Sequence, residues 1–223
     1  LDVSPVFGRL WESMHTDDRY IVMPGGTRSS KTWSILQALI LTCLNRDVEV
    51  DIIRAELTAA KRSVVIDLEE ILDNMGLYNE NMHIKSEHRY NIGEGSIRIM
   101  GCDNADRLRG SKRDIAYINE SQELSSESSK QILLRTSEKL ICDYNPTFKA
   151  EEMWLGKQLE DGNHTIIRST YKDNPFLDKA IVKEIESLKP IYLEADGSKV
   201  VDEKLEYDGD GTLIKGDPRD WSV

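Results

Sequence analysis

The sequence has few cysteines and no long apolar run. Its three cysteines are scattered among 223 residues without CxxC spacing, too few for a disulfide framework and unsuited to a zinc site. We therefore expect reduced, buried thiols at Cys43, Cys102 and Cys142. The longest apolar run, residues 35–44, is interrupted by two polar residues and is too short to span a membrane. No basic segment followed by an apolar one opens the chain, so neither a secretory signal nor a membrane partner is predicted.

The overall composition does not indicate a basic surface either. The formal net charge is −11, which argues against a dedicated nucleic-acid binder. The acidic residues crowd the C-terminal part of the chain, however, and a basic cluster lies in the middle, formed by Arg107, Arg109, Lys112 and Arg113. A local basic patch can still meet phosphate groups, although most isolated charge runs are simply solvated.

Short apolar segments alternate with helical patterns over residues 20–188. This alternation predicts an α/β fold with a mostly parallel central sheet, helices on both faces, and ligands beyond the C-terminal strand ends. Residues 88–100 predict an inserted β-hairpin that turns at Gly93-Glu94-Gly95, and residues 58–75 predict one helix that stops at Gly76. Residues 1–190 are interpreted as one domain. Residues 191–223, rich in Asp, Glu, Gly and Lys, are interpreted as an acidic extension or linker.

A phosphate-binding loop is predicted between the first strand and the helix that follows it. The loop is a variant of GxxxxGK[ST], and its residues are Gly25, Gly26, Thr27, Arg28, Ser29, Ser30, Lys31 and Thr32. Small residues let backbone amides surround phosphate oxygens, and the helix N-terminus favours negative charge. Lys31 can reach the β- and γ-phosphates and Thr32 can ligate Mg²⁺, so ATP and Mg²⁺ are the predicted cofactors. Ser30 departs from the motif, because a glycine would adopt a positive φ more easily.

Arg28 is an unusual residue inside such a loop. Its guanidinium could lie beside the γ-phosphate and stabilise charge during phosphoryl transfer. The alternative is an ordinary solvated arginine.

An apolar strand over residues 114–118 ends in Asn119 and Glu120. P-loop ATPases with an additional catalytic strand place a metal-holding Asp and then a Glu at such an end, and the Glu orients and deprotonates the attacking water. Asn119 can accept a hydrogen bond from a Mg²⁺-bound water, but it brings no negative charge. Another carboxylate, Asp114 or Asp143, could therefore help. The alternative for Glu120 is a surface carboxylate beside a helix.

Two further segments are candidate parts of the site. Asn145 lies in the turn Tyr144-Asn145-Pro146. Its side chain could hydrogen-bond the γ-phosphate or the attacking water and so respond to the nucleotide state. Alternatively, Asn-Pro could simply form an ordinary turn. The basic segment over residues 106–113 could supply an arginine finger to a neighbouring subunit or touch DNA phosphates.

The motifs GGTRSSKT, INE, YNPT and TYKDNPFL occur in an order and spacing that resemble the large terminase subunit of tailed bacteriophages. The resemblance implies a P-loop NTPase of the additional-strand, catalytic-glutamate type that hydrolyses ATP to move double-stranded DNA into a procapsid. It also implies a homo-oligomeric, pentameric ring that docks on the portal protein and works with the small terminase subunit in the host cytoplasm. An isolated domain could be monomeric.

The same resemblance assigns roles to individual residues. Arg28 matches the loop arginine, Asn119 and Glu120 match the acidic pair, Arg109 matches a trans-acting arginine, and Asn145 matches a coupling turn. Relatives carry a C-terminal metal-dependent nuclease, and this chain stops about where it would begin. Because the chain also lacks an initiator methionine, we expect a fragment with ATPase chemistry and no DNA cleavage.

Two other functions fit the loop. A small-molecule kinase would use the same loop but would need an acceptor pocket and would release a phosphorylated metabolite instead of free phosphate. A nucleotide-binding assembly scaffold would bind ATP without turnover, which the departures at Asn119 and Ser30 would permit.

Overall fold

The computed structural model describes residues 2–102, 112–145, 154–160, 162–187, 191–193 and 199–201. The helices in these ranges are Pro5–Ser13 (α1), Lys31–Asn45 (α2), Leu57–Arg62 (α3), Val64–Asn74 (α4), Ser126–Leu133 (α5), Gly156–Glu160 (α6) and Lys179–Ser187 (α7). The strands are Tyr20–Pro24 (β1), Glu49–Arg54 (β2), His83–Ile84 (β3), Arg89–Ile92 (β4), Gly95–Gly101 (β5), Arg113–Ile118 (β6), Thr136–Tyr144 (β7), His164–Ile166 (β8), Ile191–Leu193 (β9) and Lys199–Val201 (β10). Within these ranges, no helix has both the length and the apolarity that crossing a bilayer requires.

Eight strands form one sheet in the order β3-β4-β5-β2-β6-β7-β1-β8. Six strands run parallel to one another: β5, β2, β6, β7, β1 and β8. Strand β4 pairs with β5 in antiparallel fashion, and β3 pairs with β4 in the same way. The mostly parallel sheet and the inserted hairpin are thus confirmed. Strand β7 lies between β1 and β6 in this order. Strands β9 and β10 form a separate antiparallel pair.

Alternating side chains of β1 enter two different hydrophobic layers, as the two-residue period of a strand requires. Ile21 and Met23 belong to a cluster with residues of α1, α2 and α4. Val22 belongs to a second cluster on the other side of the sheet, with Ile132 of α5 and Leu155. Helices therefore cover both faces, and the apolar runs of the central strands are fully buried.

The predicted boundaries differ from the structure in a few places. The helix predicted over residues 58–75 is broken at Ser63, whose φ of −129° and ψ of −79° separate α3 from α4. The Ser63 hydroxyl accepts a hydrogen bond from the Arg54 guanidinium, which holds the break in place. Gly76 does end α4, with a φ of +67°. Strand β8 ends at Ile166, and Ser169 beyond it forms an isolated bridge to Gly25.

Candidate functional site

The predicted site segments meet because they follow neighbouring parallel strands. Pro24 of β1 pairs with Tyr144 of β7, and Cys142 of β7 pairs with Ile118 of β6. The residues after these strands therefore lie side by side at the carboxyl edge of the sheet. The structure brings together Lys31, Thr32, Asn119, Glu120 and Asn145. Arg109 lies outside the described residues.

The loop from Gly25 to Thr32 bends through two left-handed residues, Arg28 and Ser30, each with a φ of 63°. Ser30 is the residue that precedes α2, and its side chain does not cap the first turn of that helix. The hydroxyl of Ser30 instead donates to the hydroxyl of Ser4, which caps α1. The first-turn amides of α2 are therefore not capped by the Ser30 side chain, and a helix N-terminus of this kind favours an anion. Thr27 and Arg28 are exposed.

Lys31 folds back over the loop. Its ammonium donates to the carbonyl oxygens of Gly25 (2.5 Å) and Gly26 (2.9 Å) and to the Ser29 hydroxyl (3.3 Å), and it reaches Asn145 Oδ1 at 3.5 Å. Burial lowers the pKa of Lys31, and the charges of two nearby carboxylates oppose that shift. The ammonium thus links the loop after β1 to the turn after β7.

The chain that follows β8 supports the loop from the other side. Ser169, which is buried, donates from its hydroxyl to the Ser29 hydroxyl at 3.0 Å, and Asn174 Nδ2 donates to the Arg28 carbonyl at 2.9 Å. Sequence reasoning missed both residues as parts of the site. The signal available for Asn174 was its place in the motif TYKDNPFL, to whose residues the sequence analysis gave no role.

Asp143 lies at the centre of the acidic side of the site. Its side chain is 1% exposed and accepts from the Tyr117 hydroxyl (3.0 Å), the Glu120 amide (2.8 Å), Asn119 Nδ2 (3.2 Å) and the Thr32 hydroxyl (3.3 Å). Burial raises the pKa of Asp143, and the Lys31 charge acts in the opposite direction. Four donors and a nearby ammonium are the surroundings that a buried carboxylate needs.

Asp114, the other carboxylate considered from the sequence, does not reach the site. It lies near the start of β6, where it accepts from the Glu49 amide (2.9 Å) and the Ser137 hydroxyl (3.0 Å).

Glu120 has a left-handed backbone, with a φ of 55°. This conformation is costly for a residue with a β-carbon, and such residues are concentrated at functional sites. Its amide is held by Asp143, and its Oε2 accepts from Gln122 Nε2 at 2.6 Å. The half-buried carboxylate therefore has a fixed direction. Gln122 and Tyr117, which position the acidic residues, were not found from the sequence because nothing in an isolated Gln or strand Tyr marks them.

Arg113 corrects the interpretation of the central basic cluster. It was grouped with Arg107, Arg109 and Lys112, yet its side chain is fully buried and its Nε lies 2.6 Å from Asp51 Oδ2 of β2. Arg113 is the first residue of β6, so it enters the sheet and belongs to the core.

A pocket of about 570 Å³ adjoins the loop at Ser30. It runs along one face of α2 towards α4 and the N-terminal segment. Its lining residues are Asp2, Ser4, Ser30, Trp33, Gln37, Ile71, Asn74, Asn174 and Phe176.

Residues 17–200 match the family model described as phage terminase large subunit. The chain belongs to this family. It is 26% identical to the large terminase subunit of Bacillus phage SPP1 over 208 residues, which cover 83% of this chain and 49% of that relative.

Solved structures of terminases share the fold. The large terminase of a thermophilic bacteriophage matches with a TM-score of 0.71 at 16% identity, over 83% of this chain and 50% of that one. The complex of that terminase with ATP-gamma-S matches with a TM-score of 0.68 at 16% identity, over 92% and 53%. The chain thus spans about half the length of these terminase relatives. The P-loop NTPase fold expected from the motifs is confirmed.

Proposed function

We propose that this terminase domain hydrolyses ATP with Mg²⁺ and uses the energy to translocate double-stranded DNA into a procapsid. The observation that carries the proposal is the meeting of Lys31, Thr32 and Glu120 at one edge of the sheet, next to the buried Asp143. The large terminase of the thermophilic bacteriophage, which has this fold, has been solved with ADP and with ATP-gamma-S.

The loop after β1 would bind the phosphates. Its amides and the N-terminus of α2 attract the anion, and Lys31 would exchange its contacts with loop carbonyls for phosphate oxygens. Mg²⁺, when bound, would neutralise the charge that develops on the phosphates during transfer. Thr32 and Asp143 offer hard oxygen ligands of the kind that Mg²⁺ takes together with water, and Asn119 adds an amide beside them. The residues present therefore fit this ion.

Glu120 would act as the general base. Its carboxylate would accept a proton from the water that attacks the γ-phosphorus, while the bond to the ADP oxygen breaks and phosphate is released. The hydrogen bond from Gln122 leaves the other carboxylate oxygen of Glu120 available to that water. Arg28, exposed in the loop, would add positive charge near the transferred group, and Arg109 would do so from a neighbouring subunit. Asn145 would report the phosphate state to the turn after β7.

The pocket beside Ser30 would hold the nucleoside. It opens beside Ser30 at the start of α2, where a nucleotide bound by the loop would extend, and it offers two aromatic side chains, Trp33 and Phe176, for stacking on a base.

The motor assignment also needs partners. On the basis of the family, we propose four partners: the other subunits of a pentameric ring, the portal protein, the small terminase subunit and double-stranded DNA. They remain proposals because the chain spans about half the length of its relatives.

Phosphate release tests the catalytic part of the proposal. We expect Mg²⁺-dependent release of free phosphate from ATP, abolished in Lys31→Ala and in Glu120→Gln. Calorimetry should show that Lys31→Ala loses ATP binding whereas Glu120→Gln keeps it, because only Lys31 contacts the ground-state phosphates. Hydrolysis by Glu120→Gln at the parental rate would show that Glu120 is not the general base. A phosphorylated metabolite as the product would favour a kinase.

A further inference from the structure

We propose that Asp143 supplies the negative charge towards Mg²⁺ that Asn119 lacks, so that the metal-holding carboxylate of this ATPase is carried by β7 instead of β6. The inference rests on the proposed function, since it concerns the same metal-nucleotide site. It decides between the two carboxylates, Asp114 and Asp143, that the sequence left open.

The first argument is position. Thr32 provides the hydroxyl that is expected to ligate Mg²⁺, and this hydroxyl donates to Asp143 Oδ2 at 3.3 Å. In the register of the sheet, Cys142 lies opposite Ile118, so Asp143 and Asn119 follow at the same level on adjacent strands. A carboxylate on either strand can therefore reach the same ion or one of its water ligands.

The second argument is the pairing of Asn119 with Asp143. The amide nitrogen of Asn119 lies 3.2 Å from both carboxylate oxygens of Asp143 and donates to them. An aspartate at position 119 would instead place two carboxylates at that distance in a buried environment, where like charges raise each other's free energy strongly. The neutral residue on β6 and the charged residue on β7 are thus complementary, and one negative charge is retained between them.

The third argument is the free energy of burial. A carboxylate that is 1% exposed carries a desolvation cost, even where donors satisfy its oxygens. A divalent cation next to Thr32 would offset this cost in the nucleotide complex. Asp114, which contacts the Glu49 amide at the other end of β6, cannot take the role and serves as the matched control.

Isothermal titration calorimetry of ADP binding, with and without MgCl₂, tests the inference through the gain in affinity that Mg²⁺ produces. We expect Asp143→Asn to lose about 10- to 100-fold of the Mg²⁺-dependent gain, with the gain of each variant measured against its own metal-free affinity for ADP. Asp114→Asn should keep the full gain. The exchanged variant, Asn119→Asp with Asp143→Asn, should recover most of it, because it returns one carboxylate to the neighbouring strand.

Titration of bound Mn²⁺ by electron paramagnetic resonance gives a second readout with the same variants in the presence of ADP. A full Mg²⁺ gain in a folded Asp143→Asn variant would overturn the inference while leaving the ATPase proposal intact. If the parent protein did not bind ADP, that result would instead contradict the proposed ATPase function. If Asp143→Asn does not fold, Asp143→Ala takes its place, and a full Mg²⁺ gain in that folded variant contradicts the assignment.

Discussion

A β-carbon on Gly25 would lie 2.5 Å from the carbonyl oxygen of Ser169, so the loop leaves β1 through a space that accepts only glycine. The contact is with backbone, which cannot rotate away as a flexible side chain can. Gly25→Ala should push the loop away from the chain after β8, weaken ADP binding by at least about tenfold and cost roughly 1–3 kcal/mol of stability. Calorimetry and urea unfolding measure the two effects.

Gly8→Ala is the control for Gly25→Ala, because a β-carbon there meets nothing within 4 Å and the residue lies in α1. It should leave ADP binding unchanged. Unaltered binding by a folded Gly25→Ala variant would show that the approach of Ser169 does not shape the loop.

The buried ion pairs of Asp51 should be important for stability. Arg98 donates to both carboxylate oxygens at 2.9 and 3.0 Å, and Arg113 approaches from the other side. Asp51→Ala would leave two guanidinium groups without this carboxylate, so we expect a loss of about 3–5 kcal/mol in the free energy of unfolding. Urea denaturation followed by circular dichroism measures it.

The exposed pair Arg46–Glu138 provides the comparison, with side chains 52% and 40% exposed. Glu138→Ala should cost about 1 kcal/mol or less. Equal losses for Asp51→Ala and Glu138→Ala would contradict the importance of the buried pairs.

Gly93 is the turn residue that lets the hairpin of β4 and β5 dock on the end of α2. Its φ is +58°, and a β-carbon would lie 2.6 Å from Leu44 Cα. The next residue, Glu94, donates its amide to the Cys43 carbonyl at 3.1 Å. Gly93→Ala should therefore cost the left-handed penalty of roughly 1–2 kcal/mol and an overpacking penalty of about 1–3 kcal/mol in addition.

Gly76→Ala isolates the first of these penalties, because Gly76 has a φ of +67° and a β-carbon added there would meet nothing within 4 Å. Thermal unfolding of the two variants measures the difference. A Gly93→Ala variant no less stable than Gly76→Ala would show that the turn can move away from α2.

The thiols should react at very different rates. Cys43 and Cys142 are fully buried, whereas Cys102 is partly exposed. Burial raises the pKa of Cys43 to about 12 and raises that of Cys142 as well. We expect a thiol reagent at about pH 8 to label Cys102 in the folded protein and the other two after unfolding.

Because the folded-state pKa of Cys43 is about 12, raising the pH to about 9 should not bring it into reaction. Mass spectrometry of digested protein identifies the labelled positions. Labelling of Cys43 as fast as Cys102 in folded protein would contradict this ordering.

Local patterns were sufficient to predict much of the fold. Glycine and small residues between an apolar strand and a helical pattern located the loop at Gly25 to Thr32, and the Gly93-Glu94-Gly95 turn located the hairpin. The helix break at Ser63 was missed because no glycine or proline marks it, and the hydrogen bond that Ser63 accepts there comes from Arg54 on another element.

The composition of the site could be predicted only in part, because it depends on the order of strands. The sequence did not decide between Asp114 and Asp143. The placement of β7 between β1 and β6 brings Asp143 to Thr32, whereas Asp114 lies near the start of β6, at the opposite end of that strand from Asn119. The buried position of Arg113 depends in the same way on the pairing of β6 with β2, since that pairing brings Asp51 within reach.

The contacts of Lys31 have a consequence for the order of events when a nucleotide enters. An ammonium has three protons to donate, yet four acceptors lie within 3.5 Å of it, so they already compete. An incoming phosphate oxygen adds a stronger competitor because it is charged. The contact with the Asn145 amide oxygen is the longest of the four and would be the first to be given up. Binding of the anion at the loop after β1 would in this way release the turn after β7.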